Sequence, residues 1–245
     1  MHQEEDWFIH WFDSPYYHTL YKNRDEKEAH TFIDQLLAEL SPVAQSRILD
    51  LACGRGRYSR YLADKGYEVT GVDLSPSSIA YAQQFERENL SFFVHDMRTL
   101  YRTNYFDYIF NFFTSFGYFH REKDEVNVLK NVARGLKPSG VFVLDFFNSR
   151  YVRNRLMGSD NKTIDGIHFK LHKWINHHFV HKSIDIDEDG QVFHFEEKVR
   201  LYELSDFQRL FSLAGLTIAH TYGNYQLSAF DENESPRLII VSRKI

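Results

Sequence analysis

Two glycines and an aspartate in residues 47–73, RILDLACGRGRYSRYLADKGYEVTGVD, have the types and spacing of a ligand site. Gly54 and Gly56 follow a short apolar run, where glycine lets the backbone turn tightly and approach a ligand closely. The helix predicted after them offers free N–H groups at its N-terminus. Asp73 ends the next apolar run, and a carboxylate there can accept hydrogen bonds from both hydroxyls of a ribose. These residues predict a site for an adenosine-type cofactor.

Asp50 and Ser59 discriminate between two such cofactors. A dinucleotide site favours glycine at the third position of G-x-G-x-x-G, and this chain has Ser59 there. The carboxylate of Asp50, four residues before Gly54, would repel a pyrophosphate but suits the ammonium of a methionyl group. The pattern therefore favours S-adenosylmethionine over NAD.

The surrounding residues predict alternating strands and helices. Strands are predicted at residues 48–51, 68–73, 92–95, 106–110 and 141–146, and helices at 25–40, 57–65, 77–87 and 122–136. This alternation predicts a doubly wound α/β domain, with a mostly parallel sheet and helices on both faces.

The pattern changes after residue 150. Apolar and polar residues alternate in three runs within residues 167–202, with a hairpin signal at Asp189-Gly190. A helix capped by Ser205 and two strands, near 216–222 and 237–243, follow, with the last strand antiparallel. We therefore predict a Rossmann-like domain from residues 1–150 and 203–245. Residues 151–202 are expected to form a small inserted antiparallel β-sheet that serves as a lid or an interface.

Five segments in order resemble class I S-adenosylmethionine-dependent methyltransferases. LDLACGRGRYS and GVDLS resemble the first two motifs of this family. His95-Asp96-Met97, FDYIFNFFTSFGYF and LKPSGVFVLDFF follow in the family's order. PYYHTLYKNR resembles an N-terminal segment of the small-molecule branch, which folds over the cofactor. The resemblance implies a seven-stranded sheet with an antiparallel last strand, and direct methyl displacement onto a small-molecule acceptor.

The resemblance also implies roles for individual residues. Those that would hold the methionyl part of the cofactor are Asp50, Ala52, Cys53, Gly54, Gly56 and Asn111. Those that would hold its adenosine are Asp73 at the ribose, and Leu74, Asp96 and Met97 at the adenine. Tyr17, Tyr21 and Arg24 share one face of a predicted helix, from which Arg24 could pair with the methionyl carboxylate.

Aromatic residues crowd the segment after the fourth strand and predict an acceptor pocket. Phe112, Phe113, Phe116 and Tyr118 are too many aromatics for an exposed loop. We expect the inserted sheet to cover them, with Trp174 and Phe195 as contacts. The alternative is that the insertion builds a homodimer interface. No catalytic base is identified, since His18, Tyr118 and His120 qualify by expected location only.

Composition and charge argue against other classes. A net charge of -5 and a pI near 6.2 give no bulk attraction to nucleic acid, and no basic element typical of an RNA methyltransferase is present. No apolar run approaches the ~20 residues of a membrane helix. One cysteine and an acidic N-terminus without a signal pattern predict a cytoplasmic protein. His177, His178 and His181 lack a fourth ligand, so no metal site is expected.

A non-catalytic cofactor-binding module and an NAD-dependent oxidoreductase remain the alternative functions.

Overall fold

The computed structural model describes residues 6–22, 26–156 and 158–245, the side chain of Glu26 excepted. The helices in these ranges are α1 (Trp7–Phe12), α2 (Pro15–Leu20), α3 (Glu26–Leu40), α4 (Arg57–Asp64), α5 (Pro76–Ala82), α6 (Glu122–Gly135), α7 (Ser149–Arg155) and α8 (Leu204–Ala214). The strands are β1 (Arg47–Leu51), β2 (Glu68–Asp73), β3 (Leu90–Val94), β4 (Phe106–Asn111), β5 (Leu136–Phe147), β6 (Ser159–Ile164), β7 (Ile167–Asn176), β8 (Phe179–Glu188), β9 (Gln191–Arg200), β10 (Leu216–Tyr222) and β11 (Arg237–Lys244). Within the described ranges, no helix combines the length and the apolar composition needed to cross a bilayer.

Seven strands form a sheet in the order β10-β11-β5-β4-β1-β2-β3. β11 runs antiparallel to both neighbours, whereas the pairs formed by β1 to β5 are parallel. The doubly wound fold with an antiparallel last strand is thereby confirmed. Strand order reverses between β1 and β4, and ligands of open α/β sheets bind beyond the carboxyl ends of strands at such a reversal.

The centre of this sheet is buried on both faces. β5 shows the pattern most clearly, because residues 141–146 are all buried. Phe142 packs with α6 and α8 on one face, and Val143 packs with α3 and α4 on the other. Successive side chains of a strand point to opposite faces, so one continuous apolar run supplies both cores. This rigid sheet fixes the positions of the loops at its carboxyl edge.

A separate antiparallel sheet has the order β6-β7-β8-β9. The predicted hairpin at Asp189-Gly190 joins β8 to β9, and both residues have the positive φ angles of a tight hairpin turn. The prediction of three strands is wrong, because β6 is a fourth. Its sequence, SDNKTI, has no apolar alternation, since this edge strand is exposed on both faces except at Ile164.

α1 and α2 pack against the second sheet, and α1 also contributes Phe8 to a buried cluster of the first. Trp11 and Leu20 form an apolar cluster with buried side chains of β7 and β8, among them Phe169 and Ile184. Asp13, between the two helices, accepts hydrogen bonds from Ser75 Oγ at 2.6 Å and Ser77 N at 2.9 Å. The segment therefore bridges from the second sheet to the start of α5.

Several predicted element ends are corrected. Ser205 is not the cap of α8, because Glu203 occupies that position and exchanges hydrogen bonds with Asp206. The helix predicted at 77–87 ends at Ala82 and continues as a short 3-10 turn, Gln83–Phe85. These differences lie outside the loops that carry the predicted site.

Candidate cofactor and acceptor site

A cavity of about 930 Å³ opens at the carboxyl edge of the seven-stranded sheet. One wall comes from the loops after β1, β2, β3 and β4, another from α1 and α2, and a third from α7 and the four-stranded sheet. The insertion therefore forms part of the cavity wall. Of the predicted site residues, those that line the cavity are Tyr17, Tyr21, Asp50, Ala52, Cys53, Gly54, Asp73, Leu74, Asp96, Met97, Phe112, Phe113 and Tyr118. Arg24 lies outside the described residues.

Asp50 brings a carboxyl group from β1 to the cavity wall with 1% of its surface exposed. Ser59 Oγ donates a hydrogen bond to Asp50 Oδ2 at 2.5 Å. Burial disfavours the charged form and raises the pKa of Asp50 to about 7, although the bond from Ser59 opposes the shift. A buried carboxylate of this kind is best satisfied by a cationic ligand group.

The turn after β1 contains three residues in the left-handed region. Ala52, Gly54 and Gly56 have φ angles of 65°, 55° and 75°. A Cβ at Gly54 would meet nothing within 4 Å, so Gly54 leaves open space at the cavity. A Cβ at Gly56 would lie 2.5 Å from the ring of Phe92. Gly56 therefore serves packing between the start of α4 and β3, and the structure does not place it on the cavity wall.

Asp73, at the end of β2, is held by two backbone donors. Gly54 N donates to Asp73 Oδ2 and Ser75 N donates to Asp73 Oδ1, each at 2.8 Å. Burial raises the pKa of the Asp73 carboxyl group, and these backbone bonds oppose the rise. Each carboxylate oxygen can accept more than one hydrogen bond. The group can therefore bind a diol while the turn remains closed.

Cys53 lines the same turn, but its chemistry is not that of a nucleophile. Burial raises the pKa of its thiol well above the ordinary value, and the nearby carboxylates of Asp50 and Asp73 add to the rise. The thiolate is therefore disfavoured at neutral pH, and Cys53 serves as a small buried residue.

Asp96 lies at the cavity but is largely engaged by Arg98. The guanidinium donates to both oxygens of Asp96, at distances of 2.7 to 3.1 Å, and also to Asp6. Burial raises the pKa of Asp96, but the bonds from Arg98 outweigh that effect and leave the pKa lowered. An adenine amino group would have to share this carboxylate with Arg98.

Asn111 does not line the cavity, contrary to the prediction. Its Nδ2 donates to the carbonyl oxygen of Leu51 at 2.8 Å, which ties β4 to β1. Its Oδ1 is buried and has no hydrogen-bond partner among the described residues. The residue therefore supports the carboxyl end of β1 from beside the site.

The loop after β4 is held in a fixed conformation beside the cavity. Phe113 and Thr114 have consecutive positive φ angles of 61° and 62°, which cost energy for residues with side chains. Phe113 N donates to Asp145 Oδ2 at 2.9 Å, and Arg237 Nε donates to Asp145 Oδ1 at 2.8 Å. Asp145 is fully buried in β5 and Arg237 is at the start of β11. This ion pair connects three segments at the cavity edge.

Three predicted acceptor contacts lie elsewhere. Phe116 is buried in the core, where it packs with Tyr202 and Phe207. Trp174 does not line the cavity and stacks on His181, with ring centroids 5.0 Å apart. Phe195 lies beneath α1, 4.9 Å from the ring of Trp11. Alternation alone could not say which face of the insertion would meet the cavity.

The structure also identifies cavity residues that were not predicted. Lys173, Lys182 and Glu197 come from neighbouring strands of the second sheet, and Arg237 comes from β11. Asp145, the partner of Arg237, has a sequence signal, because it is a single carboxylate within the apolar run VFVLDFF. Among the base candidates, His18 and Tyr118 line the cavity, whereas His120 does not. No cluster of His, Cys, Asp and Glu suited to a metal occurs in the described residues.

Comparisons with known proteins agree with this geometry. A family model described as a methyltransferase domain matches residues 48–140. YqeM of Bacillus subtilis (strain 168), whose naming as a methyltransferase is itself provisional, is 38% identical over 132 residues. That alignment spans about half of either protein, 51% of this chain and 53% of YqeM.

Two further comparisons extend over most of the chain. The dTDP-3-amino-3,6-dideoxy-alpha-D-glucopyranose N,N-dimethyltransferase of Streptomyces fradiae is 27% identical over 207 residues, 80% of each chain. The crystal structure of an S-adenosylmethionine-dependent methyltransferase from Clostridium acetobutylicum ATCC 824 superposes with a TM-score of 0.79 at 23% identity, covering 94% of this chain and 96% of that one. Residues 48–140 therefore match a methyltransferase domain, and the chain has the class I fold seen in S-adenosylmethionine-dependent methyltransferases.

Proposed function

We propose that this chain binds S-adenosylmethionine in the cavity and transfers its methyl group to a small-molecule acceptor. One observation carries the proposal. The cavity joins a wall formed by Asp50, Gly54 and Asp73 to a facing wall of aromatic and charged side chains. Its volume of about 930 Å³ is near the upper end of the range for small-molecule sites, ~300–1,000 Å³.

The residues at the first wall suit this cofactor chemically. The buried carboxyl group of Asp50 matches an ammonium, and Asp73 matches a ribose diol. The open space at Gly54 admits a ligand close to the backbone. A pyrophosphate at this turn would meet the carboxylate of Asp50, which disfavours NAD.

The contribution of the chain to methyl transfer is alignment and exclusion of water. S-adenosylmethionine supplies, when bound, a methyl group made electrophilic by its sulfonium. Tyr17, Tyr21 and Phe113 enclose the cavity, and the fixed loop after β4 presents Phe113 and Tyr118 beside it. Such enclosure holds an acceptor in line and keeps competing water away.

An amino group on a small metabolite is the acceptor that we propose. The Streptomyces fradiae relative is named for N,N-dimethylation of a nucleotide-linked amino sugar. The second wall of the cavity carries charged side chains at Lys173, Lys182 and Glu197. Such a wall suits a polar metabolite held by a few placed groups.

Isothermal titration calorimetry with S-adenosylhomocysteine and NAD tests the cofactor assignment. We expect S-adenosylhomocysteine to bind and NAD not to bind. Asp73→Asn should weaken binding by roughly 1.5–3 kcal/mol, since a charge-assisted acceptor is lost. Asp107→Asn, at a carboxylate on β4 that bonds Lys137 and does not line the cavity, is the matched control. Binding of NAD without binding of S-adenosylhomocysteine would refute the proposal.

The proposal also covers the cellular location and the oligomeric state of the protein. We propose a cytoplasmic location, because the only cysteine of the chain, Cys53, is a free thiol. A homodimer through the second sheet is a separate proposal, and light scattering tests it by the mass of the protein in solution. A non-catalytic binding module is the functional alternative. It predicts tight S-adenosylhomocysteine binding with no methylated product from any amino-sugar nucleotide supplied with S-adenosylmethionine.

A further inference from the structure

Three charged side chains form a row across the second sheet on the face that meets the cavity. Lys173 of β7 is directly opposite Lys182 of β8, and Lys182 is directly opposite Glu197 of β9. Directly opposite residues in antiparallel strands point to the same face, with Cβ atoms about 4.5–5.5 Å apart. All three residues line the cavity.

The single carboxylate in this row is already fully engaged. Lys182 Nζ donates to Glu197 Oε2 at 2.9 Å, while Trp11 Nε1 and Tyr21 OH each donate to Glu197 Oε1 at 2.8 Å. The side chain of Lys182 is 11% exposed and that of Glu197 is 17% exposed. This pair is therefore a closed, mostly buried unit that links the sheet to α1 and α2.

Lys173 has no comparable partner. Its side chain makes no hydrogen bond or ion pair with any described residue, although the residue is half-buried. Like charges directly opposite one another in a sheet are destabilising, and a half-buried ammonium group without a partner also loses hydration. The two lysines and one glutamate of this row therefore carry a net charge of +1 at the cavity.

We propose that Lys173, beside the Lys182–Glu197 pair, binds an anionic group of the acceptor, a carboxylate or a phosphate. An anion at Lys173 would give this ammonium group a charge-assisted hydrogen-bond partner, and the positive charge of Lys182 beside it would add electrostatic attraction. The carboxylates of Asp50 and Asp73 lie at the carboxyl ends of β1 and β2, and that of Asp96 lies in the loop after β3, whereas Lys173 comes from the second sheet. The acceptor is therefore oriented by its anionic end at the second sheet. This inference rests on the proposed function for the identity of the ligand, but the anion site can be tested separately.

Titration of pyrophosphate and of malonate into the protein, with and without S-adenosylhomocysteine and at constant ionic strength, tests the site. Lys173→Met keeps the length of the side chain and removes its charge. Lys170→Met is the matched control, because Lys170 is an exposed residue of the same strand that points to the opposite face. We expect Lys173→Met to weaken anion binding at least tenfold and Lys170→Met to leave it within twofold. Pyrophosphate or malonate, whichever binds more tightly, identifies the anion as phosphate or carboxylate.

A second readout uses stability without ligand. We expect Lys173→Met to raise the melting temperature and pyrophosphate to stabilise only proteins that retain Lys173. Equal anion binding by wild type and Lys173→Met, or none by wild type, overturns the proposal. Weaker S-adenosylhomocysteine binding in Lys173→Met would assign the anion to the cofactor's carboxylate and also overturns it. Failure of the wild type to bind S-adenosylhomocysteine refutes the proposed function instead, and the pyrophosphate titration still reports on the lysines.

Discussion

Asp50 is buried at the cavity, and its pKa of about 7 makes cofactor binding depend on pH. The carboxyl group is mostly neutral at pH 6 and mostly ionised at pH 8, and the ammonium of the cofactor prefers the ionised form. We expect affinity for S-adenosylhomocysteine to rise about tenfold from pH 6 to pH 8, measured by calorimetry.

Asp50→Asn should flatten this profile and weaken binding at pH 8. It should also stabilise the empty protein at pH 8. The pKa of Asp50 in the folded protein is raised above its usual value of 3.8. The free energy of unfolding therefore falls as pH rises from 3.8 towards 7, because the unfolded chain ionises this carboxyl group more readily than the folded protein. Asparagine does not ionise, so the variant does not lose this stability. Ser59 can still donate to an asparagine oxygen. An unchanged pH profile in the variant would show that Asp50 does not hold the cofactor.

The two glycines of the turn should respond differently to the same substitution. Gly56→Ala places a Cβ against the ring of Phe92 and should cost roughly 2–4 kcal/mol of unfolding free energy, from overpacking and from the positive φ angle. Gly54→Ala meets open space and should cost about 1–2 kcal/mol, but it should weaken S-adenosylhomocysteine binding. Urea unfolding and calorimetry measure both effects.

Gly66→Ala is the control, because Gly66 also has a positive φ angle and open space but lies outside the cavity. It should lose about as much stability as Gly54→Ala and keep full affinity. Equal losses of affinity at Gly54 and Gly66 would contradict a ligand role for the turn.

At the scale of elements, sequence periodicity predicted the strands and helices whose apolar residues form the core. β1, β2, β4 and α6 appear within about one residue of their predicted ends, because burial forces apolar residues into regular positions. β6 and α1 were not predicted, and the helix predicted to carry Tyr17, Tyr21 and Arg24 corresponds to α2, which ends at Leu20. β6 is polar and exposed, and α1 and α2 are short helices that depend on contacts with a distant sheet.

The site residues divide in the same way, into those that local sequence predicts and those that depend on contacts with a distant sheet. Backbone turns and strand ends predicted Asp50, Gly54 and Asp73 as site residues, and the structure places all three on the cavity wall. The charged residues of the second sheet were not predicted, because Lys182 and Glu197 meet the cavity only through the docking of that sheet. Local sequence carries no information about that docking.

The segment formed by α1 and α2 should control access to the cavity through Asp13. Asp13→Ala removes the acceptor for Ser75 Oγ and Ser77 N and should weaken S-adenosylhomocysteine binding by about 1–2 kcal/mol. Hydrogen exchange in residues 7–20 should rise, whereas the melting temperature should change little. Asp64→Ala, at an exposed ion pair with Arg87, is the control. Unaltered exchange in residues 7–20 would show that this contact does not hold the segment.

At the scale of the whole molecule, two packing units share one cavity. The cluster formed by α1, α2 and the second sheet contains Trp11, Leu171 and Ile184, whereas the seven-stranded sheet has its own buried clusters. Ile184→Ala creates a cavity and should cost roughly 2–4 kcal/mol. We expect native-state hydrogen exchange to show lower protection in β7 to β9 and unchanged protection in β4 and β5. Equal losses in both sheets would instead show a single cooperative unit.

The ion pair of Asp145 and Arg237 has a consequence for synthesis of the chain. The two residues are 92 positions apart, and Arg237 reaches the cavity edge only because β11 runs opposite to its neighbours. A nascent or truncated chain that ends before Arg237 leaves a buried carboxylate without its cation, which is strongly destabilising. We therefore expect a chain truncated before β11 to lose both this ion pair and the strand that pairs with β5, and to be digested by proteases faster than the full chain.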